Sequence, residues 1–268
     1  MRYQKPSAIC RDEPGLVTMD DPISVEDFLH SEVHAVEGGV RSQGLAIRRM
    51  QLGDIPHILH FMAELFDEPA RQAQREVYKN VRWGGPGTVV ALDGNGDVVG
   101  FYLCTSYAEG VSLGVMMGVA GRKLALTLER YSFLRTMAIG SKVRHGGVRP
   151  DNFKSLHVLF NQMGYVGEEY IASPNPALSR ILLTLAQTPA AYYRNRVDPT
   201  NLPRYIAEAS EGKDWMIVQC EDRRAVQEMY AETPFRVVAY LRSGTIRESD
   251  CLLALPTDKL LVADFDRG

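Results

Sequence analysis

The chain has 268 residues, 45% of them hydrophobic and 24% charged, with a formal net charge of −3, which suits a folded protein of one large or two small domains. That balance leaves no basic footprint for general nucleic-acid binding. No apolar run reaches membrane-spanning length and the start, Met1 to Pro6, lacks a signal-peptide core, so a cytoplasmic location without a membrane partner is expected.

Residues 1–22, broken by Pro6, Pro14 and Pro22, read as a loosely held arm. Ser24 opens a predicted helix over SVEDFLHSEVHAVEGG, with Asp27 completing a capping-box pattern and Gly38-Gly39 closing it. Phe28, Leu29, Val33 and Val36 form its packing face. His30 and His34 stand one turn apart, a spacing that can bind metal but here lacks a third ligand and reads as a solvated face. LAIRRM, from Leu45, predicts a short strand, Gly53-Asp54 a turn and cap, and IPHILHFMAELF a helix buried along Ile55, Ile58, Leu59, Met62, Leu65 and Phe66. His57 and His60 share one surface of that helix. Arg71 to Trp83 begins helical and is broken by Gly84-Gly85-Pro86-Gly87. Two strands follow around Asp93-Gly94-Asn95-Gly96, a strong hairpin signal.

Further on, Val115-Met116-Met117 reads as strand, Gly118 to Lys123 as a Gly-containing connection and Leu124 to Met137 as helix. The stretch that organises the chain is VRPDNFKSLHVLFNQMGYV, from Val148. Lys142 to Arg149 runs extended, Pro150 blocks helix before it, and Asp151 or Asn152 caps a helix with Leu156, Leu159, Phe160 and Met163 on one stripe. Gly164 supplies a left-handed stop, and Tyr165-Val166 resumes strand. Residues 171–200 read as a connector with one packed helix, ALSRILLTLAQ. From Asp214 the pattern returns 70 residues on: Val218 for Val148, Glu221 for Asp151, Asp222 for Asn152, Ala225 for Ser155, Tyr230 for Phe160, Phe235 for Tyr165 and Tyr240 for Tyr170, with Pro234 for Gly164. A repeat and a chance likeness of two strand–helix–strand units both fit this pattern. Cys251 to Leu255 and Leu260 to Ala263 predict two further strands. Cys10, Cys104, Cys220 and Cys251 are far apart without a C-x-x-C pair, which predicts neither a metal site nor a disulfide framework.

Asn152, Ser155 and Gly164-Tyr165 resemble the closing segment of the GNAT-type N-acetyltransferase superfamily, where an Asn after the fifth strand is followed by a small residue and then a Gly-aromatic pair. Ile47, Arg48, Asp54 and Ile55 are similar to its first strand and helix, and Asp97, Val98, Val99, Gly100 and Phe101 to its second and third strands. The resemblance covers roughly Leu45 to Tyr170. It departs in three places. The Asn-to-Gly distance is one residue longer, Leu159 and Phe160 stand where many members have an acidic Tyr, and Gly118 to Lys123 does not spell the usual pyrophosphate loop.

The resemblance implies an α/β (α+β) fold: a mixed, mostly antiparallel sheet flanked by helices, with a C-terminal strand–helix–strand extension. The expected division is an N-terminal arm and helix (1–44), the GNAT-like domain (45–171) and a half-domain (172–268) like a second, degenerate closing unit. It implies acetyl-CoA or another acyl-CoA as cofactor, bound around Val115, Met116, Met117, Gly118, Gly121, Arg122, Lys123, Asn152 and Ser155. The pyrophosphate would meet the helix start; an ordinary strand–helix turn fits the same glycines. Lys142, Arg144, His145, Gly146, Gly147 and Arg149 form a second basic segment able to meet phosphate; a plain solvated turn fits the same residues.

Acyl transfer from a thioester to an amine needs a base, an oxyanion donor and an acid. The donor N–H falls near Val115 to Met117 by resemblance, beside a fifth strand at Val143 to Val148 that parts from the fourth. Glu109 and His145 are the candidate bases and Tyr165 the candidate acid, with Tyr170 a further phenol; plain surface or packing roles fit each of them too. The implied activity is N-acylation of a small-molecule or peptide amine, and a homodimer is compatible with it. The alternatives are a catalytically inactive GNAT-fold binding protein and an enzyme using a longer acyl-CoA or acyl carrier protein.

Overall fold

Seven consecutive residues, Val98 to Cys104, are all buried, and this strand (β5) is the centre of the first half of the molecule. A strand buried on both faces needs helices on both, and it has them. The computed structural model describes residues 2–9, 17–66, 75, 77–79, 81–82, 87–104, 110–115, 123–175, 179–187, 189, 216–244 and 248–256; side chains are described from residue 24 onward, except at 64–66 and 110–115. The chain divides into two compact units, one holding Ile23–Arg144 and the other His145–Gly268, with N-terminal pieces apportioned to each. At the start, β1 (Arg2–Ile9) and β2 (Val17–Ser24) form a two-stranded sheet where the prolines had suggested a loose arm.

In the first unit, β3 (Ala46–Arg49), β4 (Val89–Leu92), β5 and β6 (Gly110–Val115) make an antiparallel sheet in that order. On one face, Val90, Phe101 and Leu103 pack with Ile58, Phe61 and Met62 of α2 (Ile55–Phe66). On the other, Val89, Val99 and Tyr102 pack with Val40 of α1 (Val25–Arg41) and with Leu124, Leu128 and Tyr131 of α3 (Leu124–Met137).

Ser24 caps α1, accepting the Asp27 N–H at 3.0 Å. The helix runs through Gly38-Gly39 instead of ending there, and stops before Gly44, whose φ of 71° turns the chain left-handed. Two glycines do not end a helix whose following turn, at Val40, is anchored in the core. At the β4–β5 turn the Asp93 carboxylate accepts the N–H groups of Asn95 and Asp97, and Gly96 takes a φ of 87°. The residues 75, 77–79 and 81–82 are helical, and Val77 and Val81 join the α2 face.

In the second unit a six-stranded sheet runs β10-β12-β11-β8-β9-β7. Its strands are β7 (Val143–Val148), β8 (Val166–Ile171), β9 (Arg180–Ala186), β10 (Met216–Gln219), β11 (Phe235–Leu241) and β12 (Cys251–Pro256). Between β7 and β8 lies α4 (Phe153–Leu156), continuing into a π-helical turn at His157–Gln162; α5 (Arg223–Glu232) joins β10 to β11. ALSRILLTLAQ is not the expected helix but β9. Ile181, Leu183 and Leu185 are buried while Leu182 and Thr184 are half-buried, a period of two that a sheet interior uses and a helix cannot. The expected strand at Leu260 to Ala263 lies outside the described residues.

Candidate functional site

The Ile47–Ile55 motif has a direct physical basis. Arg48 of β3 donates two hydrogen bonds of 2.8 Å to the Asp54 carboxylate, which also accepts the Gln51 N–H at 2.7 Å. Burial pushes the Asp54 pKa up, but these donors outweigh it and hold the carboxyl below its usual range. The pair fixes where α2 leaves β3.

From β6 the chain reaches α3, the helix that the resemblance assigns to the pyrophosphate. Val115, the last residue of β6, pairs with Gly100. Glu109, Met116, Met117, Gly118, Gly121 and Arg122 lie outside the described residues. Lys123 is described. It is exposed, its φ of 58° makes it the one left-handed non-glycine residue among those described, and it forms the N-cap of α3 without a side-chain hydrogen bond. Its carbonyl accepts the Thr127 N–H at 3.1 Å. No acidic side chain stands in the first turn. A 14-residue helix with that opening presents the positive end of its dipole beside an exposed ammonium, and such a start fits an anionic group. A left-handed non-glycine residue is costly, and such residues cluster at ligand clamps.

The Asn152 segment folds as its residues require. The Asn152 carboxamide accepts the Ser155 N–H at 3.3 Å, Leu156 and Phe160 are fully buried, and Met163 is nearly so. Between Asn152 and Gly164 the helix widens into a π turn: the Met163 N–H reaches the Val158 carbonyl, five residues back, and the Tyr165 N–H reaches Leu159. Inserting one residue into a helix while keeping both ends in place produces this wider turn, which recurs at functional sites. Gly164 closes it at φ 75°. Asp151 pairs instead with Arg149, at 2.7 Å. Of the candidate catalytic side chains, His145 is exposed on β7, whereas Tyr165 and Tyr170 are buried.

Arg144 corrects the reading of the second basic segment. Its guanidinium is fully buried, with Nε on Glu129 Oε1 at 3.0 Å, Nη1 on Thr136 Oγ1 at 3.2 Å and Nη2 on Ser132 Oγ at 2.8 Å, while Cζ lies 4.8 Å from the Tyr102 ring centroid. Ser132 in turn donates to the Gly87 carbonyl at 2.6 Å. Gly87 is needed there, since a side-chain carbon would come within 2.5 Å of the Thr136 methyl. Such a guanidinium cannot meet a phosphate; it is held against α3 within the first unit, of which Arg144 is the last residue. The signal was present in Glu129, Ser132 and Thr136, spaced three and four residues apart along one side of α3, but nothing local named its partner.

In the second unit a cleft of ≈530 Å³ runs along β10 and α5, lined by Met216, Met229 and the carboxylates of Asp222, Glu228 and Glu232. Asp222, in Asn152's place, accepts the Ala225 N–H at 3.0 Å. The Asp222 carboxylate at that helix start disfavours phosphate where Asn152 would not. Among the described residues no His, Cys, Asp and Glu cluster is suited to a metal, and no helix is long and apolar enough to cross a membrane.

A mixed α/β fold of antiparallel sheets flanked by helices, with a strand leading into an anion-suited helix start, is the class these observations define. No protein-family model matches the chain, and no curated protein matches it in sequence. Solved structures similar to it, at low identity, include acetyltransferases of the GNAT family. Ard1 from Thermoplasma volcanium matches at TM-score 0.47 and 15% identity, over 53% of this chain and 97% of its own. A putative GNAT-family acetyltransferase from Desulfovibrio desulfuricans matches at 0.45 and 16%, over 54% and 99%. YncA from Salmonella typhimurium, solved with acetyl-CoA, matches at 0.45 and 16%, over 54% and 94%.

Proposed function

We propose that the chain is an acyl-CoA-dependent N-acyltransferase, with acetyl-CoA as the default donor and an amine of a small molecule or peptide as acceptor. The observation that carries this reading is the opening of α3: a left-handed, exposed Lys123 whose side chain does not cap the helix, at an N-terminus that follows the strand β6 and a Gly-containing segment. In this reading the α3 N–H groups and Lys123, with Gly118, Gly121 and Arg122 before it, hold the pyrophosphate. Val115, Met116 and Met117 flank the acyl arm, and Asn152 and Ser155 complete the binding set. The bound group supplies a thioester, which an amine can attack. Glu109 or His145 takes the proton from the amine, and Tyr165 is assigned to donate one to the departing sulfur. Burial of Tyr165 and the apolar Phe160 on the helix favour a second reading, a binding protein that keeps the cofactor site without turnover.

Titration calorimetry with CoA tests the site. Micromolar binding is expected, weakened about tenfold or more by Lys123→Glu, which places a carboxylate at a phosphate site. Unchanged affinity in a folded variant would refute the placement. Thiol release on an amine panel then separates enzyme from binding protein.

A further inference from the structure

The two strand–helix–strand–strand segments of the second unit share more than their sequence offset. Each helix cap follows the same turn: the Asn152 N–H donates to the Arg149 carbonyl at 3.0 Å, and 70 residues on the Asp222 N–H donates to Gln219 at 3.2 Å. Each strand after the helix pairs antiparallel with the next, and each pairing shifts register at the same point, between Gly167 and Glu169 on β8 and between Val237 and Ala239 on β11. Tyr170 faces Ile181 and Tyr240 faces Leu252, so the second copy repeats the first with one residue added in its last connection. Their strand orders mirror one another, β7-β9-β8 then β11-β12-β10. A shared bulge is informative because bulges are placed by particular residues, not by the general needs of a sheet.

The seam between the copies is β8 against β11, antiparallel, with Gly167 opposite Val237. These two residues are themselves 70 apart, so at this one position a residue meets its own counterpart, and positions to either side meet the counterparts of their neighbours across it. That arrangement is what a two-fold axis through the pair produces, and it is the rule of an isologous interface between identical subunits. The helices obey it too. The π turn of the first copy packs on β11, where the Asn161 carboxamide donates to the Tyr240 carbonyl at 2.7 Å and accepts its N–H at 2.8 Å. The helix α5 of the second copy packs on β8, where the Tyr230 hydroxyl occupies the space a side chain on Gly167 would need. Phe160 is the counterpart of Tyr230 and lacks that hydroxyl, as Val237 is the counterpart of Gly167 and has a side chain.

We propose that residues 216–256 are a second, diverged copy of residues 143–186, and that its role is to be the chain's built-in partner: it closes the β8 edge about a pseudo-two-fold axis at Gly167 and Val237. Without it, β8 would end the sheet with its N–H and C=O groups unpaired, an edge open to another chain. The partner this edge fits is a like strand with a like register, and the chain carries it.

Cross-linking tests the seam. The Cβ position of Gly167 lies 3.2 Å from Val237 Cβ, near disulfide spacing. In the full chain, Gly167→Cys and Val237→Cys are combined with Tyr230→Phe to make room, then oxidised and mapped by peptide mass. An intrachain 167–237 disulfide is expected; an interchain link, or free thiols at both sites, overturns the proposal. Should that variant not fold, hydrogen exchange on the unaltered protein decides. Protection of the β8 and β11 amides is expected to be unchanged over a roughly 100-fold dilution. Protection that falls with dilution shows that a second chain closes the edge, and overturns it.

Discussion

Replacing Arg144 by Met would leave the aliphatic stem in place and remove the charge. It would also take away the donors to Glu129 Oε1, Thr136 Oγ1 and Ser132 Oγ, in a site where Arg144 and Glu129 are both fully buried. Breaking a buried pair from one side costs about 3–5 kcal/mol, because the remaining charge stays desolvated. For a unit of this size about 2–4 °C of Tm accompanies each kcal/mol, so a fall of about 6–20 °C is expected. Urea denaturation followed by circular dichroism reads the change from the midpoint, provided the slope is unaltered. The double variant Arg144→Met with Glu129→Leu should recover much of the loss, since no charge is then left behind. A loss below about 1 kcal/mol for Arg144→Met, or strict additivity in the double variant, would refute the view that the pair is a coupled buried unit.

Asp54 gives a pH prediction. Its pKa is held below the ordinary value, so it contributes stability above about pH 4 that is lost as pH falls through the depressed pKa. Asp54→Asn should therefore lower stability at pH 7 and flatten acid unfolding below pH 4, measured by urea midpoints across pH. The Cys220 thiol, pushed up to about 12 by burial and then by Cys251 and Asp250, should resist iodoacetamide at pH 8 until urea unfolds the chain. Ready labelling of the native protein would contradict that burial. Asn152→Ala and Asp222→Ala should each cost about 1 kcal/mol through loss of a helix cap, read from urea midpoints. CoA should bind with one equivalent per chain, because Asp222, Glu228 and Glu232 border the second copy's cleft; a calorimetric stoichiometry of two would overturn that assignment.

Much of the architecture was legible because local rules sufficed. Asn152 as cap, the stripe Leu156, Phe160 and Met163, the Asp93–Gly96 turn and the α3 boundaries at Leu124 and Met137 all follow from spacing, capping and turn chemistry within a few residues. The misses have a common cause. ALSRILLTLAQ carries apolar residues that satisfy a helical period as well as a strand's, and only its place between β7 and β8 selects the strand. Arg144 read as solvated because its partners Glu129, Ser132 and Thr136 lie 8 to 15 residues away, on another element.

By itself the amino-acid sequence determined most helices and strands from α1 to β8, the capped helix after β7 and the 70-residue recurrence, since each depends on neighbours in the chain. Tertiary structure alone decided that β8 and β11 meet at Gly167 and Val237, that Arg144 is buried against Glu129, and that the Asn152 helix widens into a π turn. Those outcomes depend on which distant groups are left to satisfy buried edges, charges and backbone bonds. That competition is settled only when the layers pack.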